Sequence, residues 1–152
     1  MKNLWSLMAV LVLASAACAD TIYSEADSEV RSGAYATANY GTSTTLYVRE
    51  QSGGSTCNRA VFRFDLSGLS GTVSDAKLKL YLSAAPSSNT THRLYFMSDD
   101  SWVESIITWS NCPSIASTST TWAVNTGDAG TWKEINVTSL VSQEAAGDDK
   151  LT

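Results

Sequence analysis

The chain has few of the residues that enzymes most often use for chemistry. Among 152 residues there are one histidine, three cysteines and two prolines, and 16% of the side chains are charged. No Cys-His cluster has the spacing of a metal site, and no nucleophile-elbow glycine pattern accompanies a Ser-His-Asp order. The composition therefore disfavours the common hydrolytic and metal-dependent mechanisms.

Carboxylates provide the best remaining case for catalysis. Glycoside hydrolysis needs two carboxylates about 5 to 10 Å apart, and Asp99, Asp100 and Glu104 are close in the sequence. We expect them instead to accept hydrogen bonds from backbone amides in a corner of the chain. His92 lies on an apolar strand face and is expected to be a packed side chain rather than a general base. No catalytic residue is predicted.

The chain also lacks an apolar run long enough to span a membrane as a helix. An apolar run from Leu7 to Ala14 follows Lys2 and precedes small residues, which is typical of an export signal. Residues 1–19 are therefore predicted to be a signal peptide that stands outside the fold, with a mature chain beginning at Asp20 and secreted to the extracellular space. A lipid anchor at Cys18 stays an alternative, although Ser15 stands where lipoprotein signals usually carry leucine.

Basic residues are scarce as well. Without residues 1–19, nine basic side chains face fifteen acidic ones, a net charge of about −6. Such a balance disfavours nucleic acid, and it disfavours any other anionic polymer unless the basic residues cluster on one face. The distribution of the few cations is therefore the main question for function.

Short apolar runs that alternate with Ser, Thr and Gly predict an all-β chain. Their spacing of roughly ten residues, with no helix longer than two turns, favours one antiparallel β-sandwich of jelly-roll type over residues 20–152. Phe62 and Phe64 are predicted in the core. A loop covers 34–44, and a short helix with Thr138 or Ser139 as its N-cap extends to Ala146. Strands are predicted at 21–23, 29–31, 45–49, 58–66, 75–83, 92–96 and 132–138, with another beginning at 150–152.

One stretch, from Asp99 to Pro113, combines two tryptophans, three carboxylates, a cysteine and a proline. We interpret it as a buried corner between strands. Once Cys18 is removed, only Cys57 and Cys112 are left, and two cysteines in an exported domain suggest one disulfide. Two free buried thiols are the alternative.

Exported sandwiches often hold a calcium ion through carboxylate and carbonyl oxygens. Candidate oxygens occur at Asp27, Asn39, Asp99 and Asp100, but no EF-hand spacing is present. We predict no cofactor and no defined metal site, and leave a structural calcium ion open.

Four sequence blocks in order resemble the DNRLRE domain, also grouped as carbohydrate-binding module family 96. They are Arg31–Gly41, Phe62–Leu69, Ala76–Tyr81, and Trp102–Pro113 with Val137–Leu140 downstream. The resemblance covers nearly all of the mature chain. It implies a β-sandwich, no catalysis, and binding of an extracellular polysaccharide, with alginate the ligand associated with the family. Related chains normally carry two further strands after the short helix, so we expect either a fragment or a bare sheet edge here.

Sugar binding needs an aromatic ring to stack on a pyranose and planar donors for hydroxyl or carboxylate groups. The outward strand faces offer both, and as one contiguous surface they would suit a uronate polymer. Alternatively these cations form ordinary ion pairs with Asp65, Glu50 and Glu29. In that case the chain would be a structural or adhesive domain of an extracellular or cell-surface protein. The predicted binding residues are Arg31, Tyr47, Arg49, Arg59, Arg63, Lys77, Lys79 and Tyr81.

Overall fold

A computed structural model describes residues 7–14, 19–50, 56–116 and 119–152. These residues form nine strands, one short α-helix, α1, at Thr138–Glu144, and a 3-10 helix at Gly33–Tyr35. The strands are β1 (Leu7–Ala14), β2 (Ala19–Tyr23), β3 (Ala26–Arg31), β4 (Asn58–Asp65), β5 (Asp75–Leu82), β6 (Thr90–Tyr95), β7 (Ser119–Val124), β8 (Thr131–Asn136) and β9 (Lys150–Leu151).

All the strand pairs are antiparallel, and the fold is an all-β sandwich. One sheet has the order β2-β1-β5-β8, a second has the order β3-β4-β9, and β6 and β7 form a separate hairpin. The main core includes residues from both sheets, from β7 and from α1. Within it lie Leu11, Phe64, Leu80, Val124, Ile135 and Val141.

Alternation along β5 shows why the sequence forms this sheet. Ala76, Leu78, Leu80 and Leu82 are buried, whereas the residues between them are half-exposed. Side chains in a strand point to opposite faces in turn, so the apolar set covers one face. Phe64 is buried and Phe62 packs partly buried against the same core, which confirms both predictions.

The stretch from Asp99 to Pro113 forms a corner, as the sequence predicted, but it is buried only in part, since Val103 and Ile106 are exposed. Trp102 and Ile107 are buried with Val30 and Val61 in a second apolar cluster. Val61 lies on the face of β4 opposite Phe62 and Phe64, and it is buried because the corner covers that face of β3 and β4. The β3-β4 sheet is therefore covered on both faces.

Three predicted elements differ from the structure. Residues 45–49 form no strand, because the Tyr47 amide donates to the Glu29 carboxylate and only Arg49 bridges to Asn58. Strand β7, at Ser119–Val124, lies where the sequence predicted no strand. Helix α1 has Val137 as its N-cap, since the Thr138 hydroxyl instead accepts a hydrogen bond from the Ala76 amide on β5.

Leu7–Ala14 also departs from expectation, because it forms the interior strand β1 instead of lying outside the fold. Strand geometry does not bear on cleavage, so the signal peptide stays a prediction, and Cys18 lies outside the described residues. The described part of the chain has no helix with the length and apolar character needed to cross a membrane.

Candidate functional site

The eight predicted binding residues do not form one surface. Arg31, Arg59 and Arg63 belong to the β3-β4-β9 sheet, whereas Lys77, Lys79 and Tyr81 lie on β5 in the other sheet. The two sheets enclose the main core between them. The expected contiguous basic face is therefore wrong, and the groups must be considered separately.

On β5 the cations form ordinary ion pairs. Lys77 lies 3.5 Å from Asp75 and Lys79 lies 3.1 Å from Glu134, with all four side chains substantially exposed. Tyr81 packs against Trp132 on β8, with 5.3 Å between ring centroids. This face is an ordinary solvated surface of exposed ion pairs, although the acidic partners are Asp75 and Glu134 and not the expected Asp65, Glu50 and Glu29.

Arg31 lies in a polar cluster that joins β3 to the loop after it. Its Nε donates to the fully buried Glu29 carboxylate at 2.6 Å, and its guanidinium lies 3.9 Å from the Tyr40 ring centroid and 5.6 Å from that of Tyr47. Burial opposes the charge, but the hydrogen bond that Arg31 donates to Glu29 raises the Arg31 pKa. Arg31 and Tyr47 are thus tied to the buried carboxylate.

Arg63 holds the corner in position. Its Nη1 donates to the carbonyl oxygens of Asp100 and Trp102, at 2.7 and 2.6 Å, and its Nε pairs with Glu25 at 2.6 Å. The guanidinium also lies 5.1 Å from the Trp102 ring centroid. With these contacts Arg63 has a structural role.

The corner is fastened to the 34–44 loop by polar contacts. The Asn39 side-chain amide donates to the carbonyl oxygens of Glu104 and Ile107, at 2.8 and 2.7 Å. Asp99 accepts hydrogen bonds from the Ser101 amide and hydroxyl, which lower its pKa. For Asp99 this confirms the structural interpretation of the corner carboxylates.

The remaining cations share one groove. Six of the Lys and Arg side chains form ion pairs, and among the described residues Arg49, Arg59 and Arg93 form none within 4 Å. All three line a groove of about 500 Å³, whose described walls include residues 48–50, residues 57–59 and β6. Glu50 is the single acidic residue on the described walls of that groove. The unpaired positive charge is therefore concentrated in one place.

The groove also offers planar and hydrogen-bonding groups. Arg59 lies over the Trp109 ring at 4.5 Å, which orients its guanidinium plane. His92 packs against Trp122 with centroids 5.1 Å apart, and burial lowers its pKa, so it is uncharged at neutral pH. Exposed Thr90 and Thr91 add hydroxyls. An anionic polymer with many hydroxyl groups would find matching donors along this groove.

Sequence reasoning selected Arg49 and Arg59 but missed Arg93 and Tyr95. Both alternate with His92, Leu94 and Phe96, so the same period-two pattern that put the latter inward placed Arg93 and Tyr95 outward. What the pattern could not supply was the position of β6 across the groove from Arg49 and Arg59.

The predicted Cys57–Cys112 disulfide is not formed in the structure, where both residues are free, half-buried thiols. Cys112 packs against the cluster around Val30 and Val61, and Arg59 lines a pocket with it. Burial raises the Cys112 pKa, while the positive charge of Arg59 acts in the opposite direction.

The described residues contain no grouping of three or more His, Cys, Asp or Glu side chains suited to a metal ion. Two of the candidate calcium ligands have other partners, since the Asn39 side-chain oxygen accepts from Gly41 and Asp99 accepts from Ser101. Asp27 lies near Glu104, and burial and then that neighbouring charge raise its pKa.

The fold is that of an all-β module with a core between its two sheets, and the arginine-lined groove is its candidate ligand site. The family profile for carbohydrate-binding module family 96 matches residues 19–152, nearly the whole chain. The chain belongs to this family and is a carbohydrate-binding module. A search of curated proteins gave no significant match.

Proposed function

We propose that the chain is a secreted, non-catalytic module that binds an acidic polysaccharide such as alginate in the groove of Arg49, Arg59 and Arg93. The observation that supports this site is the concentration of all three arginines without an ion pair, among the described residues, in one groove of an acidic domain. Guanidinium groups match the planar carboxylate of a uronate and can bind it with two parallel hydrogen bonds.

Charge also favours this ligand over a neutral one. A neutral glycan gains little from three cations, whereas a polyuronate presents a carboxylate on every sugar ring. Exposed ion pairs weaken as salt shortens the Debye length. Binding to alginate should therefore weaken steadily with added sodium chloride, which affinity electrophoresis or calorimetry over a salt series would measure.

Single substitutions locate the site. Losing one charge-assisted hydrogen bond costs about 1.5 to 3 kcal/mol, so Arg49→Gln and Arg93→Gln should each weaken alginate binding by roughly tenfold or more. Lys77→Gln and Lys79→Gln remove equal charge from the other sheet and are matched controls. The proposal would be contradicted if the arginine variants and the lysine controls lost equal affinity for alginate, or if the parent chain bound no acidic or neutral polymer. Either result would favour a structural or adhesive domain.

Secretion is the second part of the proposal, and it rests on the composition of residues 1–19. When the full chain is expressed with its leader in an exporting host, the protein should appear outside the cell with Asp20 as its first residue. Mass spectrometry of the intact product checks both cleavage and any lipid on Cys18. A chain retained inside the cell with residues 1–19 attached would contradict it.

A further inference from the structure

Two of the groove arginines are carried by backbone segments that meet at Asn58. The Arg49 amide donates to the Asn58 carbonyl oxygen at 3.0 Å, and the Asn58 amide donates to the Arg49 carbonyl oxygen at 2.8 Å. Arg59 follows Asn58 directly at the start of β4. Residues 45–49 form no strand, so this isolated bridge joins the segment of Arg49 to the sheet. The backbone of Arg49 is therefore placed relative to Arg59 through Asn58.

The carboxylate of Glu29 on β3 connects to both of these segments. It is fully buried. Its Oε1 accepts a hydrogen bond from the Asn58 side-chain amide, and its Oε2 accepts one from the Tyr47 backbone amide at 3.0 Å. Hydrogen bonds to a charged acceptor are stronger than those between neutral groups. Glu29 therefore fastens the residue two before Arg49 to the first residue of β4.

The three groove arginines differ in what holds them. Arg59 lies against the Trp109 ring, and Arg93 is on β6, which pairs with β7 along its whole length. Arg49 lies outside the strands, and its segment is held by the bridge to β4 and by the buried carboxylate. Of the three, Arg49 is therefore the one whose position depends on this small polar network.

We propose that Glu29 and Asn58 are positioning residues of the polysaccharide site, which hold Arg49 at a fixed place relative to Arg59 in the ligand-free protein. The inference rests on the proposed function of the groove. A ligand that must order a flexible side chain loses about two- to tenfold in affinity for each one. A guanidinium already in place can bind a carboxylate with two parallel hydrogen bonds. Glu29 is fully buried, so it acts through the backbone that it holds and not through contact with the sugar.

Asn58→Leu tests the hydrogen bond with a variant that should fold. It removes the donor to Glu29, but it also removes Oδ1, a buried atom without a hydrogen-bond partner among the described residues. Glu29 keeps its other hydrogen bonds, from Arg31 and from a backbone amide. At a temperature well below its melting transition, the variant should bind an alginate oligosaccharide about tenfold more weakly than the parent. Without ligand, the Arg49 amide should exchange its hydrogen faster than in the parent, and the Arg93 amide should not.

A double-mutant cycle shows whether Asn58 acts through Arg49. If it does, Asn58→Leu has no further effect once the Arg49 guanidinium is gone, so the variant with both Asn58→Leu and Arg49→Gln should bind alginate as weakly as Arg49→Gln alone. Asn58→Leu combined with Arg93→Gln should instead show additive losses. A merely structural change would add equally to Arg49→Gln and to Arg93→Gln, and that result would overturn the proposal.

Val141→Ala is the control for stability. Val141 is fully buried on α1 and is not among the residues that line the groove. This variant should have a lower melting temperature, with unchanged alginate affinity and unchanged Arg49 exchange. Affinity equal to that of the parent in Asn58→Leu, or an equal loss of affinity in Val141→Ala, would overturn the proposal. If the parent chain binds no alginate, the proposed function fails, and hydrogen exchange alone decides the positioning role: it stands if Asn58→Leu speeds exchange at Arg49, and it falls if the Arg49 rate is unchanged.

Discussion

Arg31 and Arg63 differ from Arg49, Arg59 and Arg93 in what surrounds their guanidinium groups. Arg31 and Arg63 have carboxylates and backbone carbonyls in contact and link parts of the fold. The other three face a groove without a carboxylate partner among the described residues. Sequence alone gives all five the same outward character, so this difference in role depends on tertiary contacts.

Glu29 should be essential for stability. Its carboxylate is fully buried and accepts hydrogen bonds from Arg31, Asn58 and the Tyr47 amide. Removing one partner of a buried pair leaves the other charge uncompensated. We expect Glu29→Gln to lower the free energy of unfolding by about 3 kcal/mol in urea titration. Glu134→Gln, which breaks an exposed pair, should cost at most about 1 kcal/mol; similar losses for both would contradict this.

Gly41 is required because the corner approaches it closely. A Cβ built on this residue would overlap the Glu104 carbonyl oxygen. Overpacking against backbone costs about 1 to 3 kcal/mol, and we expect Gly41→Ala at the upper end of that range in urea unfolding. Gly68 has nothing within 4 Å of the equivalent atom, so Gly68→Ala is the control and should change stability little. A Gly41→Ala variant as stable as the parent would show that the loop is not held there.

Asp27 gives the fold a dependence on pH with a definite sign. Its pKa is raised from the usual 3.8 by burial and by Glu104, so its ionised form opposes folding. Asp27→Asn should therefore be more stable than the parent at neutral pH, and the advantage should disappear as the pH falls below 3.8. Asp99 has a lowered pKa, so Asp99→Asn should show the reverse: a loss at neutral pH that fades in acid. Melting temperatures measured from about pH 3 to about pH 7, a range that includes the usual carboxyl pKa values, test the sign of both stability changes.

Two elements, the 34–44 loop and the corner, stabilise each other. Asn39 connects them with two donated hydrogen bonds to carbonyl oxygens. In Asn39→Asp a carboxylate would face those same oxygens, and we expect a loss of about 2 to 3 kcal/mol with faster amide hydrogen exchange across 102–111. Asn136→Asp is the matched control, because Asn136 uses only its oxygen, to accept from the Thr138 amide. Unchanged exchange at the corner in Asn39→Asp would refute this link.

Regular alternation made β4, β5 and β8 predictable, because each has one face in the main core. Residues 45–49 alternate just as well, with Leu46 buried and Val48 half-buried, yet they form no ladder beyond the Arg49–Asn58 bridge. There a side chain, Glu29, takes the backbone amide that a neighbouring strand would otherwise bind. The alternation of apolar and polar residues indicates which side chains are buried, but it does not indicate which group forms hydrogen bonds with the backbone.

Over the whole molecule, the fold class and the corner could be predicted, because both follow from periodicity and from a recognisable block of residues. The site could be predicted only in part. Arg49 and Arg59 were identified, but grouping them with Lys77, Lys79 and Tyr81 required knowing that β4 and β5 belong to different sheets. Sheet membership depends on long-range pairing, and so does the interior place of β1, which local composition marks as a leader.

The most direct test of the central claim is to map a bound acidic oligosaccharide by amide chemical shifts. On titration with an alginate oligosaccharide, the largest shifts should fall at Arg49, Arg59, Arg93 and Tyr95, around the groove. Amides of Lys77, Lys79, Tyr81 and Trp132, on the outer face of the other sheet, should shift little. Shifts concentrated on that outer face, or no shifts at millimolar oligosaccharide, would contradict the assignment of the groove as the polysaccharide site.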